Sequence, residues 1–204
     1  MKLNLGCGAH VVDGWINVDY SLGARLSRVP FFRAINKKFR LFDLDWDDRI
    51  FIHDLTLPFP WKAATADIVY SSHTLEHLSK KEGDRFLREC CRVLKKNGIL
   101  RILVPDLASI VKAYYDKQLR ADDFVERLGV LYGQSPSSLK TLLAPYVQYP
   151  HKCMYDTSSL LVILSDIGFQ ASSRNPYESD IEDIKDLEIK GRTEAAVIVE
   201  GRKS

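Results

Sequence analysis

An open α/β fold is predicted by two features of the first hundred residues. The chain begins with Lys2-Leu3-Asn4-Leu5 running straight into Gly6-Cys7-Gly8, which reads as a buried strand ending in a tight turn of little side-chain bulk. Two further short apolar segments, Trp15 to Asp19 and Ile50 to Leu55, carry an acid at or near their ends, Asp19 and Asp54. In open α/β sheets, ligands sit outside the carboxyl ends of the strands. Glycine there lets the backbone turn sharply and lets a ligand press on the main chain.

The remaining elements follow in order. Asp67 to His73 reads as a fourth strand and Ile99 to Val104 as a fifth. Between them Phe86, Leu87, Cys90, Val93 and Leu94 mark the apolar face of a helix, with Asn97-Gly98 as its stop. Leu57-Pro58-Phe59-Pro60-Trp61 is a loop, because its prolines lack the backbone donor, and its aromatics are placed to pack on the sheet edge. Asp106 precedes a helix that runs through Tyr114-Tyr115, so N-capping is its default role. Residues 118–150 read as short helices, with Asp122 and Ser137 as caps. Asp156 or Thr157 caps a helix from about Ser158 to Ile167, closed by Gly168. A sixth strand starts at Phe169 and a seventh spans 193–200, while the acidic residues 178–188 read as a solvated helix or loop.

Composition bounds the function. A chain of 204 residues is expected to be one domain with a full core, and 46% hydrophobic with 27% charged residues is ordinary for a globular protein. A net charge of +2 argues neither for nor against nucleic acid. Cys7, Cys90, Cys91 and Cys153 lack metal-ligand spacing and read as reduced thiols. No apolar run approaches the length of a membrane span, and the expectation is a cytoplasmic protein. The Gly-x-Gly pattern alone is weak. A dinucleotide fingerprint places a third glycine where Val11 stands, and the ten residues between Gly8 and Asp19 leave no room for a long crossover helix.

The segments LNLGCG, GWINVD, HDL, LPF, SSHTLEHL, RVLKKNGILRI and VPDL occur in this order over residues 3–107. In combination the chain resembles class I S-adenosylmethionine-dependent methyltransferases, and more narrowly a small bacterial group that carries these motifs. A second patch, His151 to Phe169, resembles a later segment of the same group. The resemblance implies a Rossmann-like three-layer α/β/α sandwich with a mostly parallel seven-stranded sheet, the last strand antiparallel. It implies S-adenosyl-L-methionine as cofactor and S-adenosyl-L-homocysteine as product. Gly6, Cys7 and Gly8 would bring backbone amides and space to the amino-acid end. Asp19 would hold the ribose hydroxyls, and Asp54 and Leu55 would flank the adenine. Ser72 and His73 would line the donor pocket, with Leu5 and Tyr20 completing the set.

The acceptor side is less determined. Removing a proton from an acceptor near neutral pH suits histidine. His73, His151 and Asp106 are the candidate catalytic residues; His77 and Glu76 read as structural. His73 and His77 lie four apart, a metal-ligand spacing if the segment is helical, but the rest of a zinc site is missing and no metal is assigned. A basic insert at about 21–48 and a helical insert at about 106–150 are the segments available to cover the pocket.

Residues 21–42 carry Arg25, Arg28, Arg33, Lys37, Lys38 and Arg40 without an acid, interleaved with apolar residues at helical steps and broken by Pro30. Three readings stay open: an insert packed on the domain with a solvated basic face, a contact for an acidic substrate such as a phosphorylated sugar, or peripheral association with a membrane surface. The expected function is methyl transfer to a small-molecule or glycan acceptor, with O-methylation favoured and a polysaccharide-biosynthesis context implied by the resemblance. The alternative is a non-catalytic cofactor-binding scaffold or regulatory protein. A third reading, an NAD-dependent oxidoreductase, is opposed by Val11 and the missing helix. No Asn-Pro-Pro-Tyr-like motif follows the fourth strand, and no nucleic acid partner is expected.

Overall fold

The computed structural model describes residues 1–32, 46–133, 144 and 148–204. Seven strands form one sheet in the order β3-β2-β1-β4-β5-β7-β6. They are β1 (Lys2–Leu5), β2 (Ile16–Asp19), β3 (Phe51–Ile52), β4 (Ala66–Ser72), β5 (Leu94–Pro105), β6 (Phe169–Ser173) and β7 (Ala196–Lys203). β1 to β5 are mutually parallel, and β7 runs antiparallel to both of its neighbours, as expected. β1 is central, paired with β2 on one side and β4 on the other, so Gly6 stands where the strand order reverses. That reversal opens a crevice at the strand tips.

Alternation along β5 sorts its side chains to two faces. Leu100, Ile102 and Val104 join Leu3, Leu5 and Val69 against helix α2 (Lys80–Val93) and helix α5 (Thr157–Ile167). α2 begins with a capping box between Ser79 and Glu82 and buries Phe86, Leu87, Cys90 and Val93. α5 begins with a capping box between Asp156 and Ser159 and ends at Gly168 with φ of 108°. Of the loop aromatics, Trp61 packs on the sheet edge as expected, 5.6 Å from Phe51, while Phe59 meets Phe86 of α2 edge-on at 5.9 Å between ring centres.

On the other face one expectation holds and another does not. The β1–β2 link carries no helix among the described residues. Buried Asn17 pins it instead, accepting from Val12 N at 3.1 Å and donating to Val12 O at 2.9 Å. The acidic segment 178–188 closes that face rather than standing in solvent. Ile181, Ile184 and Leu187 are buried against Val12, Trp15, Tyr70, Ile99 and Leu103. Six acids hide this three-residue apolar spacing. One of those acids explains the docking: Glu188 meets Arg101, a β5 residue on the same face, at 2.7 Å, and Arg101 also meets Glu200 at 3.0 Å, with all three side chains 3% exposed or less. Arg101 further donates to the carbonyls of Glu178 and Asn175. Within the segment lies α6 (Ile184–Leu187), and α7 (Lys190–Thr193) follows it.

Smaller corrections concern boundaries. α2 stops at Val93 and strand geometry begins at Leu94, with the turn at Asn97 taken at φ of 63° inside the strand span. β3 pairs over Phe51 and Ile52 alone. Helix α4 (Ala121–Arg127) has Arg120, not Asp122, at its N-cap, and Asp122 pairs with Arg120 at 2.8 Å. Helix α3 (Leu107–Tyr115) is capped by Asp106, as expected. Helix α1 (Leu22–Leu26) starts the basic stretch and packs close to Trp46: a Cβ on Gly23 would lie 2.3 Å from that ring. Arg33, Lys37, Lys38, Arg40 and Ser137 lie outside the described residues. No described helix is long and apolar enough to cross a membrane.

Arg101→Met is expected to lower the unfolding free energy by about 3–5 kcal/mol, because it leaves buried Glu188 without a cation and Glu200 with only Arg174, at 4.0 Å. Adding Glu188→Gln and Glu200→Gln should recover part of the loss. Urea unfolding followed by circular dichroism reads both. A single-variant loss below about 1 kcal/mol would mean that the ion cluster does not hold the acidic segment.

Candidate active site

The crevice is built on the carbonyl of Val18. It accepts from Gly6 N at 2.8 Å and from Cys7 N at 3.0 Å, which folds the chain after β1 back over the tip of β2. Gly6 and Gly8 take φ of +75° and +59° to make that turn. A Cβ on Gly6 would lie 1.9 Å from Thr74 Oγ1, so only hydrogen fits there. Asp19 locks the next step, accepting from Gly8 N at 2.9 Å and from Ser21 N at 2.7 Å. Every N–H of Gly6, Cys7 and Gly8 is thus donated within the protein, and the turn offers a ligand its space and its carbonyls. Leu5 is buried, its carbonyl accepting from Ser71 Oγ at 3.0 Å.

Positive charge arrives from elsewhere. Arg192, on α7, holds its Nη2 3.6 Å from where a Cβ of Gly8 would stand. No carboxylate pairs with it among the described residues. It comes from a segment far along the chain with no motif around it, and no sequence signal marks it. Cys7 faces Asp19, and burial first, then that carboxylate, pushes its thiol up to about 12.

The adenine-side candidates are arranged differently. Asp54 Oδ1 accepts from Thr56 N at 2.9 Å and Thr56 Oγ1 at 2.7 Å, and Leu55 is buried. Tyr20 is half-exposed, with the Arg25 guanidinium 4.8 Å above its ring. Ser72, at the tip of β4, is buried and its Oγ has no partner among the described residues.

Beyond Ser72 the chain reverses through His73, a non-glycine residue at φ of +52°. Such backbone strain is retained where the surroundings over-determine it. His73 Nε2 lies 2.8 Å from the Arg192 carbonyl, and Nδ1 lies 3.2 Å from Glu76 Oε1, close enough for charge attraction although the ring N–H is not aimed at the oxygen. Desolvation pulls the His73 pKa down, but the Glu76 carboxylate and the Arg192 carbonyl outweigh it and the net shift is upward. Glu76 is fully buried at 0% exposure, within a single 3-10 turn, Leu75–His77. His73 therefore lies outside that turn, and His73 and His77 are not four apart on one helix. Burial is the main cause of a lowered pKa at His77.

His151 joins this group from just past the second insert. Its ring lies 5.1 Å from that of His77, and its Nδ1 is 2.7 Å from the Leu128 carbonyl. Tyr149, 6.4 Å from His77 between ring centres, accepts from Leu22 N at 3.2 Å, so the two inserts meet beside the pocket. Asp106 stands apart from the cluster: it caps α3 through Ala108 N at 3.0 Å and also accepts from Ser109 Oγ.

Two outcomes check this geometry. Gly6→Ala should cost about 1–3 kcal/mol of stability from left-handed strain, plus whatever the Thr74 clash adds, read by thermal unfolding. Unchanged stability would contradict the turn. Burial keeps the Cys7 thiol protonated at pH 8, so iodoacetamide should label the less buried Cys91 and Cys153 first. Peptide mass spectrometry should find Cys7 labelled last, at a rate that climbs as the pH is raised. Early labelling of Cys7 would show an open turn.

A methyltransferase domain family matches residues 3–102. No curated protein sequence matches the chain. Among solved structures, an S-adenosylmethionine-dependent methyltransferase from Methanosarcina mazei aligns with a TM-score of 0.56 at 15% identity, over 99% of this chain and 91% of that one. The PH0226 protein from Pyrococcus horikoshii OT3 aligns at 0.53 and 12% identity, over 100% and 81%. YcgJ from Bacillus subtilis aligns at 0.52 and 15% identity, over 99% and 91%. At these identities the likeness is one of fold. The family match adds chemistry to that fold, since it spans the Gly-Cys-Gly turn, Asp19, Asp54 and Ser72. Residues 3–102, just under half of the chain, thus match a methyltransferase domain family on a sheet of the same fold, and together these support S-adenosylmethionine as the cofactor.

Proposed function

We propose that the protein transfers a methyl group from S-adenosylmethionine to a hydroxyl of a small-molecule or glycan acceptor. The cofactor supplies a methyl group already activated on a sulfonium, so the protein's task is to bind, orient and exclude water. The residues present fit it. Asp19, 8% exposed, keeps a free lone pair on each oxygen beyond its two backbone bonds and sits where ribose hydroxyls would donate. Arg192 stands unpaired beside Gly8, where a carboxylate would be neutralised. Ser72 Oγ is a buried orphan at the mouth of the donor pocket.

The observation that carries the acceptor reading is the wall beyond Ser72: His73, His77 and His151 with half-exposed Tyr149 beside them. Imidazole and phenol groups suit a polar, hydroxyl-bearing molecule. At the start of the basic stretch Val29 and Phe31 are exposed, which supports a sugar carried on a membrane lipid. Sedimentation with anionic vesicles tests that extension, and no partition of the wild type removes it.

Calorimetric titration with S-adenosylmethionine and S-adenosylhomocysteine, with NAD as control, tests the cofactor site. Wild type should bind both at micromolar concentration and ignore NAD. Asp19→Ala and Arg192→Ala should each lose about 10- to 100-fold in affinity, the worth of a hydrogen bond to a charged group. Binding without turnover across a screen of sugar and small-molecule hydroxyls would favour the non-catalytic alternative. Equal affinity in both variants would overturn the placement of the cofactor.

A further inference from the structure

We propose that Glu76, His77 and His151 bind one divalent transition-metal ion at the acceptor side of the pocket. One ligand atom from each lies within 4.8 Å of the others. Donors held at 2.0–2.2 Å by one tetrahedral ion lie about 3.4 Å apart, so side-chain rotation must draw these atoms together by up to about 1.4 Å to complete the set.

The argument begins with Glu76. Its carboxylate is fully buried, and neither oxygen receives a hydrogen bond among the described residues. A buried carboxylate that accepts no hydrogen bond is costly to hold in a protein interior. His73 approaches it at 3.2 Å but out of line. His77 Nδ1, also buried, has no partner either. A cation between them satisfies both groups at once.

His151 is prepared as the third ligand. Its Nδ1 sits 2.7 Å from the Leu128 carbonyl, which fixes the proton there and leaves the lone pair on Nε2. Gly129 makes this close approach feasible: a Cβ there would lie 2.6 Å from His151 Cε1. A backbone carbonyl that orients a ligating imidazole is a recurring support in metal sites.

The donor set selects the metal. Two imidazoles and one carboxylate suit Mn, Fe, Co or Zn more than Ca or Mg. Three protein ligands leave positions open for water or an acceptor oxygen, as in catalytic rather than structural sites. A metal there would polarise that oxygen, a role that rests on the methyl-transfer reading. The binding site itself does not rest on it.

The test uses the full chain, stripped of metal and dialysed against Mn2+, Co2+ or Zn2+ in turn, with bound metal counted by mass spectrometry and Co2+ followed by visible absorption. Wild type should bind one ion per chain. Glu76→Gln and His151→Asn should each weaken binding at least 100-fold with circular dichroism unchanged. His151 is only half-buried, so His151→Asn decides the case if Glu76→Gln fails to fold. Sub-stoichiometric binding by wild type, or wild-type affinity in His151→Asn, overturns the site. S-adenosylhomocysteine is titrated in parallel, with and without EDTA. Metal binding without it fells the cofactor reading and supports the site. Its binding without metal uptake fells the site alone.

Discussion

Arg101 holds the architecture of this protein together at a distance from the crevice. A guanidinium in the middle of β5 is an unusual core residue, and it is tolerated because two carboxylates and two backbone carbonyls saturate its donors. Its pairing with Glu188 fixes the chain just before α7. Arg192 N then bonds Ile189 O, which settles the short helix. From there the Arg192 side chain overhangs the Gly-Cys-Gly turn, while its carbonyl holds His73. A charge buried in the sheet thus sets the electrostatics at the strand tips, through a segment that belongs to neither.

The turn after β1 and the histidine cluster beyond β4 are organised by different means. At the first, backbone donors are consumed internally by Val18 and Asp19, so the turn is rigid before any ligand arrives. Rigidity of this kind lowers the ordering cost of binding. At the second, a strained His73, a buried acid and two facing imidazoles leave polar groups unsatisfied. Buried groups without partners call for an explanation, and a bound ion is one.

Much of this was legible in the sequence. The strands, the capped helices and the central Gly6-Cys7-Gly8 turn follow from alternation, glycine and capping chemistry. Those signals are local, and local rules read them. What escaped was non-local. Residues 181, 184 and 187 carry an apolar spacing too short and too diluted by acids to stand out, and the partners that hold acids on a core face, Arg101 for Glu188 and Lys2 for Asp183, lie far away in sequence. Arg192 has no motif. Glu76 and His77 were visible, yet their third companion, His151, lies across an insert, so sequence spacing gave no warning that they converge.

Gly129 shows how far such convergence reaches. It touches no cofactor candidate, lies on the surface in a loop at φ of +67°, and has no side chain to pattern. Yet any larger residue there would displace the imidazole ring of His151. Tolerance to substitution along this insert should therefore be governed by steric shadow rather than by chemistry. The positions least free to vary will include one that contributes nothing but an absence of atoms.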